Sequence, residues 1–168
     1  MNLKTMQIMK KFLFAYPPGP GTTVADIGSM DVNGSYRELF PGNVIYTGID
    51  IAAGNGVDVV SADPYNYPFP DNHFDLVISG NTLEHVEDMK DFMKEASRIL
   101  KHGKLIFISV PWKWPKHSYP IDCWRVLPDG LIFLFRVSGI DLVEVKMIQD
   151  DTILTGHTVG IGRKHEGQ

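Results

Sequence analysis

Residues 24–37, VADIGSMDVNGSYR, place a short apolar run before a loop that carries Gly28 and Gly34. Val24 to Ile27 has the composition of a buried strand, and Ser35 to Phe40 is expected to form a short helix stopped by Pro41-Gly42. Strand, loop and helix in that order are the first unit of a parallel sheet, and the chain repeats the unit in both directions from here. Upstream, Leu3, Met6, Met9 and Leu13 recur at helical spacing before Pro17-Pro18-Gly19-Pro20-Gly21 ends the helix. Downstream, strands are expected at Val44 to Asp50, Val57 to Val60, Phe74 to Ser79 and Lys104 to Val110. Before the last of these, Met89, Phe92, Met93, Ala96, Ile99 and Leu100 form one apolar stripe, with Gly103 placed as the C-terminal cap. Pro128 and Gly139 bracket another helix over Asp129 to Ser138. Two closing strands, the first alternating at Val143, Val145 and Met147 and the second running from Ile153 to Gly162, have the spacing of a hairpin turned at Asp150-Asp151. The last strand is therefore expected to run antiparallel to the rest.

The 168 residues fit one domain, 1–168, with 1–20 as a lead-in helix and turn. Sixteen Lys and Arg against 20 Asp and Glu leave a net charge of −4, which argues against a nucleic-acid partner and for a small molecule. Cys123 is the sole cysteine, so no intrachain disulfide is available. With no apolar run near the ~20 residues that cross a bilayer, a cytoplasmic protein without membrane contact is expected.

Three features converge on the carboxyl ends of successive strands, where open parallel sheets bind ligands. Gly28 and Gly34 allow close backbone approach, and the helix start beyond them offers N–H groups to a carboxylate or phosphate. Asp50 ends the second strand 22 residues after Gly28, where an acid can accept both hydroxyls of a ribose. Asp63, in Ser61-Ala62-Asp63-Pro64, can accept from an exocyclic amine such as that of adenine. The loop does not match G-x-G-x-x-G, which disfavours a nicotinamide-dependent oxidoreductase.

Together these residues resemble the class I S-adenosylmethionine-dependent methyltransferases over residues 24 to about 163. Asp26-Ile27-Gly28-Ser29 with Asn33-Gly34 is similar to the first motif of that family, in its GSxxxNG form, and Tyr46 to Asp50 is similar to the ribose-binding motif. Ala62-Asp63 resembles the adenine-contacting motif, and Phe74 to Ser79 with Leu83-Glu84-His85-Val86 the fourth-strand motif. Met30 departs from the commonest pattern, which has glycine there. The resemblance implies an α/β fold, a Rossmann-like three-layer sandwich on a mostly parallel seven-stranded sheet of order 3-2-1-4-5-7-6. It implies S-adenosylmethionine as cofactor, S-adenosylhomocysteine as product, and cofactor contacts at Asp26, Gly28, Ser29, Asn33, Gly34, Asp50, Ile51, Ala62, Asp63 and Ser79.

Methyl transfer from a sulfonium requires neither nucleophile nor metal, and a base only where the acceptor loses a proton. His85, just past the fourth strand, and His117, in the segment Pro111 to Arg125, are the catalytic candidates. That segment holds all three tryptophans and forms either the acceptor pocket or a cover for the sheet end. Lys113, Lys116 and Arg125 would favour an anionic acceptor. Glu84 and His85 are expected to point apart on a helix, with no third ligand and no metal. Two rivals stay open: a nicotinamide-dependent oxidoreductase, and a non-catalytic domain that binds the cofactor, or nothing, and serves as an assembly partner; a homo-oligomer or partner subunit completing the acceptor site is compatible with the leading reading.

Overall fold

The computed structural model describes residues 3–149 and 154–167. The elements run α1 (Leu3–Ala15), β1 (Thr23–Ile27), β2 (Ile45–Asp50), β3 (Val59–Val60), β4 (Phe74–Gly80), α2 (Met89–Ile99), β5 (Leu100–Lys113), α3 (Pro128–Val137), β6 (Ile140–Gln149) and β7 (Gly156–Lys164). Their sheet has the order β3-β2-β1-β4-β5-β7-β6, with β7 antiparallel to both neighbours and the other pairs parallel. This is the expected topology. The turn expected at Asp150-Asp151, and Ile153, lie outside the described residues.

Successive residues of the central strands point to opposite faces, so each strand feeds two cores. Val24, Leu76, Ile78 and Phe107 meet Met9 and Phe12 of α1 on one face. Ala25, Val77, Ile106 and Ile108 meet Phe92 and Met93 of α2 and Leu131 and Phe135 of α3 on the other. The apolar stripe of α2 is buried as its spacing requires, and its start is capped by Asp88, which accepts from the N–H groups of Lys90 and Asp91 at 2.8 and 3.0 Å. Gly160 in β7 answers a different need: a Cβ there would lie 2.7 Å from Leu131, so its absence lets α3 close onto the sheet.

Two local expectations are corrected. The helix after the first loop is only a four-residue 3-10 turn, Tyr36–Leu39. Tyr36 is drawn inward against Phe107 at 6.2 Å between ring centroids, and Pro41-Gly42 leaves no length for a second turn. Gly103 does not cap α2, which ends at Ile99 with Leu100 extended; it sits within β5 at φ +71, where the register with β4 shifts.

Arg98 of α2 ties the helix to the segment entering β4. It bonds both Glu95 oxygens at 2.7 Å, Asp71 at 2.8 Å and the carbonyls of Tyr67 and Phe69. Arg98→Ala would leave the buried Glu95 without its cation, and a stability loss of about 2 kcal/mol is expected in urea denaturation.

Candidate functional site

The carboxyl ends of β1, β2 and β4 open into a cavity of about 830 Å³, roofed by residues 114–121 that follow β5. That volume falls in the range of small-molecule sites. On the floor, Gly28 has φ +79, and a Cβ on it would stand 1.9 Å from Thr82 Oγ1. Glycine is thus required both by its left-handed backbone and by the side chain that rises from the end of β4. Asp50 joins the loop to β2: its Oδ2 accepts from Met30 N at 2.9 Å and its Oδ1 from Ile51 N at 2.7 Å. Met30 turns aside against Gly54, 3.1 Å from where a Cβ there would sit.

The loop is not an anion cradle of the expected kind. Gly28 N and Ser29 N donate to Ile49 O, Asp31 N to Asn55 O and Gly34 N to Asp31 Oδ1, so these donors are spent internally. The short 3-10 turn beyond them supplies no aligned helix dipole. Gly34, at φ +105 with no atom within 4 Å of an added Cβ, presents bare backbone to open space.

Eight of the ten expected cofactor residues line the cavity: Asp26, Gly28, Ser29, Asn33, Gly34, Asp50, Ile51 and Ala62. Asp63 does not, although Ala62 and Pro64 beside it do; its carboxylate turns outward and accepts from Tyr65 N at 2.9 Å. Ser79 is also excluded, because its hydroxyl is buried between strands and donates to Ile27 O at 2.9 Å. Asp26 does not organise the loop through backbone N–H groups. It is buried and accepts from the Tyr46 hydroxyl at 2.6 Å, and burial pushes its carboxyl up to about 7 against the smaller opposing effect of that hydrogen bond.

At the other end, His85 and His117 both line the cavity with ring centroids 4.8 Å apart. Glu84 does not line the cavity, yet it lies beside both rings, contrary to the expectation that neighbours 84 and 85 diverge: Leu83–His85 is a 3-10 turn that brings ligand atoms of Glu84 and His85 within 4.8 Å of each other and of His117. Glu84 is fully buried, neither of its carboxylate oxygens has a hydrogen-bond partner among the described residues, and burial pushes its carboxyl up to about 8. Burial lowers the His85 imidazole. Cys123 N donates to Glu84 O at 2.8 Å, which pins the roof to this turn.

Of the three tryptophans only Trp114 lines the cavity. Trp112 donates to Ile148 O and Trp124 to Val86 O, so both brace the roof from outside. The basis for an anionic acceptor also falls. Arg125 is held by Asp122 at 2.6 and 2.9 Å, a pairing that keeps Asp122 well below the usual carboxylate range. No lysine or arginine lines the cavity among the described residues, while Asp26, Asp50 and Glu87 do. Asn81 and Thr82 are lining residues without a sequence signal, Asn81 owing its place to a positive φ of 59 at the end of β4; Tyr119 lines the cavity as part of the segment expected there.

A methyltransferase-domain family model matches residues 26–108, which contain the whole floor of this cavity. The matched residues carry the methyltransferase-domain pattern, and the chain has the fold of S-adenosylmethionine-dependent methyltransferases. It is 29% identical over 104 residues to the ubiquinone/menaquinone biosynthesis C-methyltransferase UbiE of Pseudomonas fluorescens, 62% of this chain and 37% of that protein. It is 30% identical over 99 residues to a chloroplastic 2-methyl-6-phytyl-1,4-hydroquinone methyltransferase of Oryza sativa, 56% of this chain and 30% of that one. The chain thus spans about a third of the length of these curated relatives. Among solved structures, the Burkholderia thailandensis 1,6-didemethyltoxoflavin-N1-methyltransferase, holding its substrate and S-adenosylhomocysteine, superposes with TM-score 0.75 at 15% identity, over 96% of this chain and 78% of that one. A Haloferax volcanii chain solved in complex with the Trm112 methyltransferase activator gives 0.73 at 21%, over 98% and 93%.

The residues present fit the cofactor of this methyltransferase family. A cationic sulfonium suits a wall bearing carboxylates and, among the described residues, no lysine or arginine. Ile51, 42% exposed beside Asp50, offers an apolar surface to a base, and the buried Asn81 Oδ1 is an acceptor without a partner among the described residues. The nicotinamide alternative loses its fold as well as its motif, since the dinucleotide order 3-2-1-4-5-6 has no antiparallel strand between the fifth and sixth positions.

Proposed function

We propose that the protein transfers the methyl group of S-adenosylmethionine to a small-molecule acceptor that enters beneath residues 114–121. The observation that carries this reading is a single cavity with Gly28, Asp50 and Ala62 at one end and His85 and His117 at the other. When bound, the cofactor supplies an electrophilic methyl group on a sulfonium. The chain's share is alignment, worth ~7–11 kcal/mol in well-oriented systems. Each Asp50 oxygen keeps lone-pair capacity after accepting one backbone N–H, so the carboxylate can accept from ribose hydroxyls. Ile51 and Ala62 cover the base; Asp26, Ser29, Asn33 and Gly34 border the remainder. His85 and His117 meet the acceptor, and the roof excludes water from it.

Isothermal calorimetry with S-adenosylhomocysteine and with NAD tests the cofactor half, and heat with NAD alone would overturn it. Asp50→Ala should weaken S-adenosylhomocysteine about 30-fold, the equivalent of one or two charge-assisted hydrogen bonds, whereas Asp63→Ala, outside the cavity, should leave it unchanged. Incubation of the protein with labelled S-adenosylmethionine and metabolite extracts tests the transfer. A labelled small molecule is expected; binding without any product would favour an assembly role instead.

A further inference from the structure

We propose that Glu84, His85 and His117 bind one divalent transition-metal ion of the zinc class at the acceptor end of the cavity. A ligand atom from each lies within 4.8 Å of the other two. Glu84 Oε1 is 3.7 Å from His85 Nε2 and 3.9 Å from His117 Nε2. Those separations are too long for hydrogen bonds, yet they approach the ~3.4 Å between ligand atoms of a tetrahedral ion with bonds of about 2.1 Å. The third separation, between the two histidine nitrogens, is within 4.8 Å, so side-chain movement on the order of 1 Å closes the set onto one ion.

The two imidazoles are already set for the task. His85 Nδ1 lies 2.5 Å from Ile121 O and His117 Nδ1 lies 3.2 Å from Pro115 O. A carbonyl only accepts, so in each ring Nδ1 carries the proton and Nε2 keeps a free lone pair, and both lone pairs face Glu84. Metal-binding histidines are oriented in this way, by an N–H from the far ring nitrogen to a carbonyl or carboxylate. His117 is held again through its backbone N–H, which donates to Asp122 at 2.8 Å, and Asp122 is fixed by Arg125. Glu84 supplies the independent observation. A fully buried carboxyl group whose two oxygens have no hydrogen-bond partner among the described residues is an unsatisfied pair of acceptors that a bound cation would satisfy.

Two imidazoles and one carboxylate suit Zn²⁺ and neighbouring first-row ions better than Mg²⁺ or Ca²⁺. Three protein ligands leave a coordination position open, and because both histidines line the cavity that position faces it. Its use by an acceptor oxygen, whose proton the ion would acidify, rests on the methyl-transfer reading; the metal site itself does not.

The test is Zn²⁺ affinity of the chelator-stripped protein, measured by competition with a chromophoric chelator, alongside the absorption of the Co²⁺-loaded form. One ion per chain is expected, with the visible ligand-field bands of a low-coordinate site. Glu84→Gln and His117→Ala should each weaken Zn²⁺ by at least about 100-fold, while His165→Ala, at an exposed pair with Asp141, should not. S-adenosylhomocysteine binding by Glu84→Gln serves as the check on folding. Failure to take up Zn²⁺, or equal affinity in wild type and both variants, would overturn the proposal. Zn²⁺ uptake without S-adenosylhomocysteine binding would keep the metal site and remove the methyl-transfer reading.

Discussion

Gly28→Ala is expected to lower stability by about 3 kcal/mol and S-adenosylhomocysteine affinity by at least about 100-fold. Two separate costs combine. At φ +79 an L-residue is in left-handed backbone, which costs roughly 1–2 kcal/mol. The new methyl would also stand 1.9 Å from Thr82 Oγ1, forcing that side chain to turn and give up its 3.2 Å hydrogen bond to Ile27 O, worth about 1 kcal/mol. If the loop moves instead, it carries Met30 with it and breaks the 2.9 Å bond to Asp50, so either relaxation disturbs the cofactor end. The double variant Gly28→Ala with Thr82→Ala should recover only part of the loss, because Thr82 Cβ itself would lie 2.7 Å from the added methyl. Denaturant midpoints and calorimetry on the three proteins separate the terms. Wild-type affinity in Gly28→Ala would mean that the loop is no part of the cofactor site.

Sequence reading reached this floor because its signals are local. Apolar runs such as Val24 to Ile27 and Phe74 to Ser79 need burial on both faces, so their alternation with helices already implied a covered parallel sheet. Asp50 was legible because a strand end fixes where its side chain goes. Asp63 was not, since a residue beyond a two-residue strand can satisfy itself locally, and here it takes the N–H of Tyr65. The acceptor end depended on tertiary structure. Glu84 and His85 looked divergent only under α-helical geometry, and the 3-10 turn that brings them together is imposed by the roof, whose Cys123 and Trp124 N–H groups both reach Glu84 O. His117 comes from 32 residues further on, a separation no spacing rule bridges.

Asp26 should make stability fall with rising pH in a window where many proteins gain it. Its carboxyl titrates near 7 when folded, against an unfolded value of 3.8, because burial disfavours the anion more than the Tyr46 hydroxyl favours it. Below about pH 4 both states hold the proton and the effect vanishes. Between about 4 and 7 only the folded state holds it, so unfolding releases a proton and stability drops by about 1.4 kcal/mol per pH unit; above 7 both states are ionised and the loss levels off near ~4 kcal/mol. Asp26→Asn should therefore flatten the urea-denaturation profile and exceed wild type in stability above pH 7, the difference isolating this residue from other buried carboxylates. Tyr46→Phe removes the hydrogen bond that holds the carboxyl down and should extend the falling limb past pH 7. Because Asp26 lines the cavity, a cation bound there favours its ionised form. S-adenosylmethionine, positive at sulfur, should release up to one proton per chain on binding near pH 6.5, and the neutral thioether of S-adenosylhomocysteine should release less. Calorimetry in buffers of different ionisation enthalpy reads that difference directly. Equal proton release for the two ligands, or an Asp26→Asn variant that keeps the difference, would place the responsive group elsewhere in the wall.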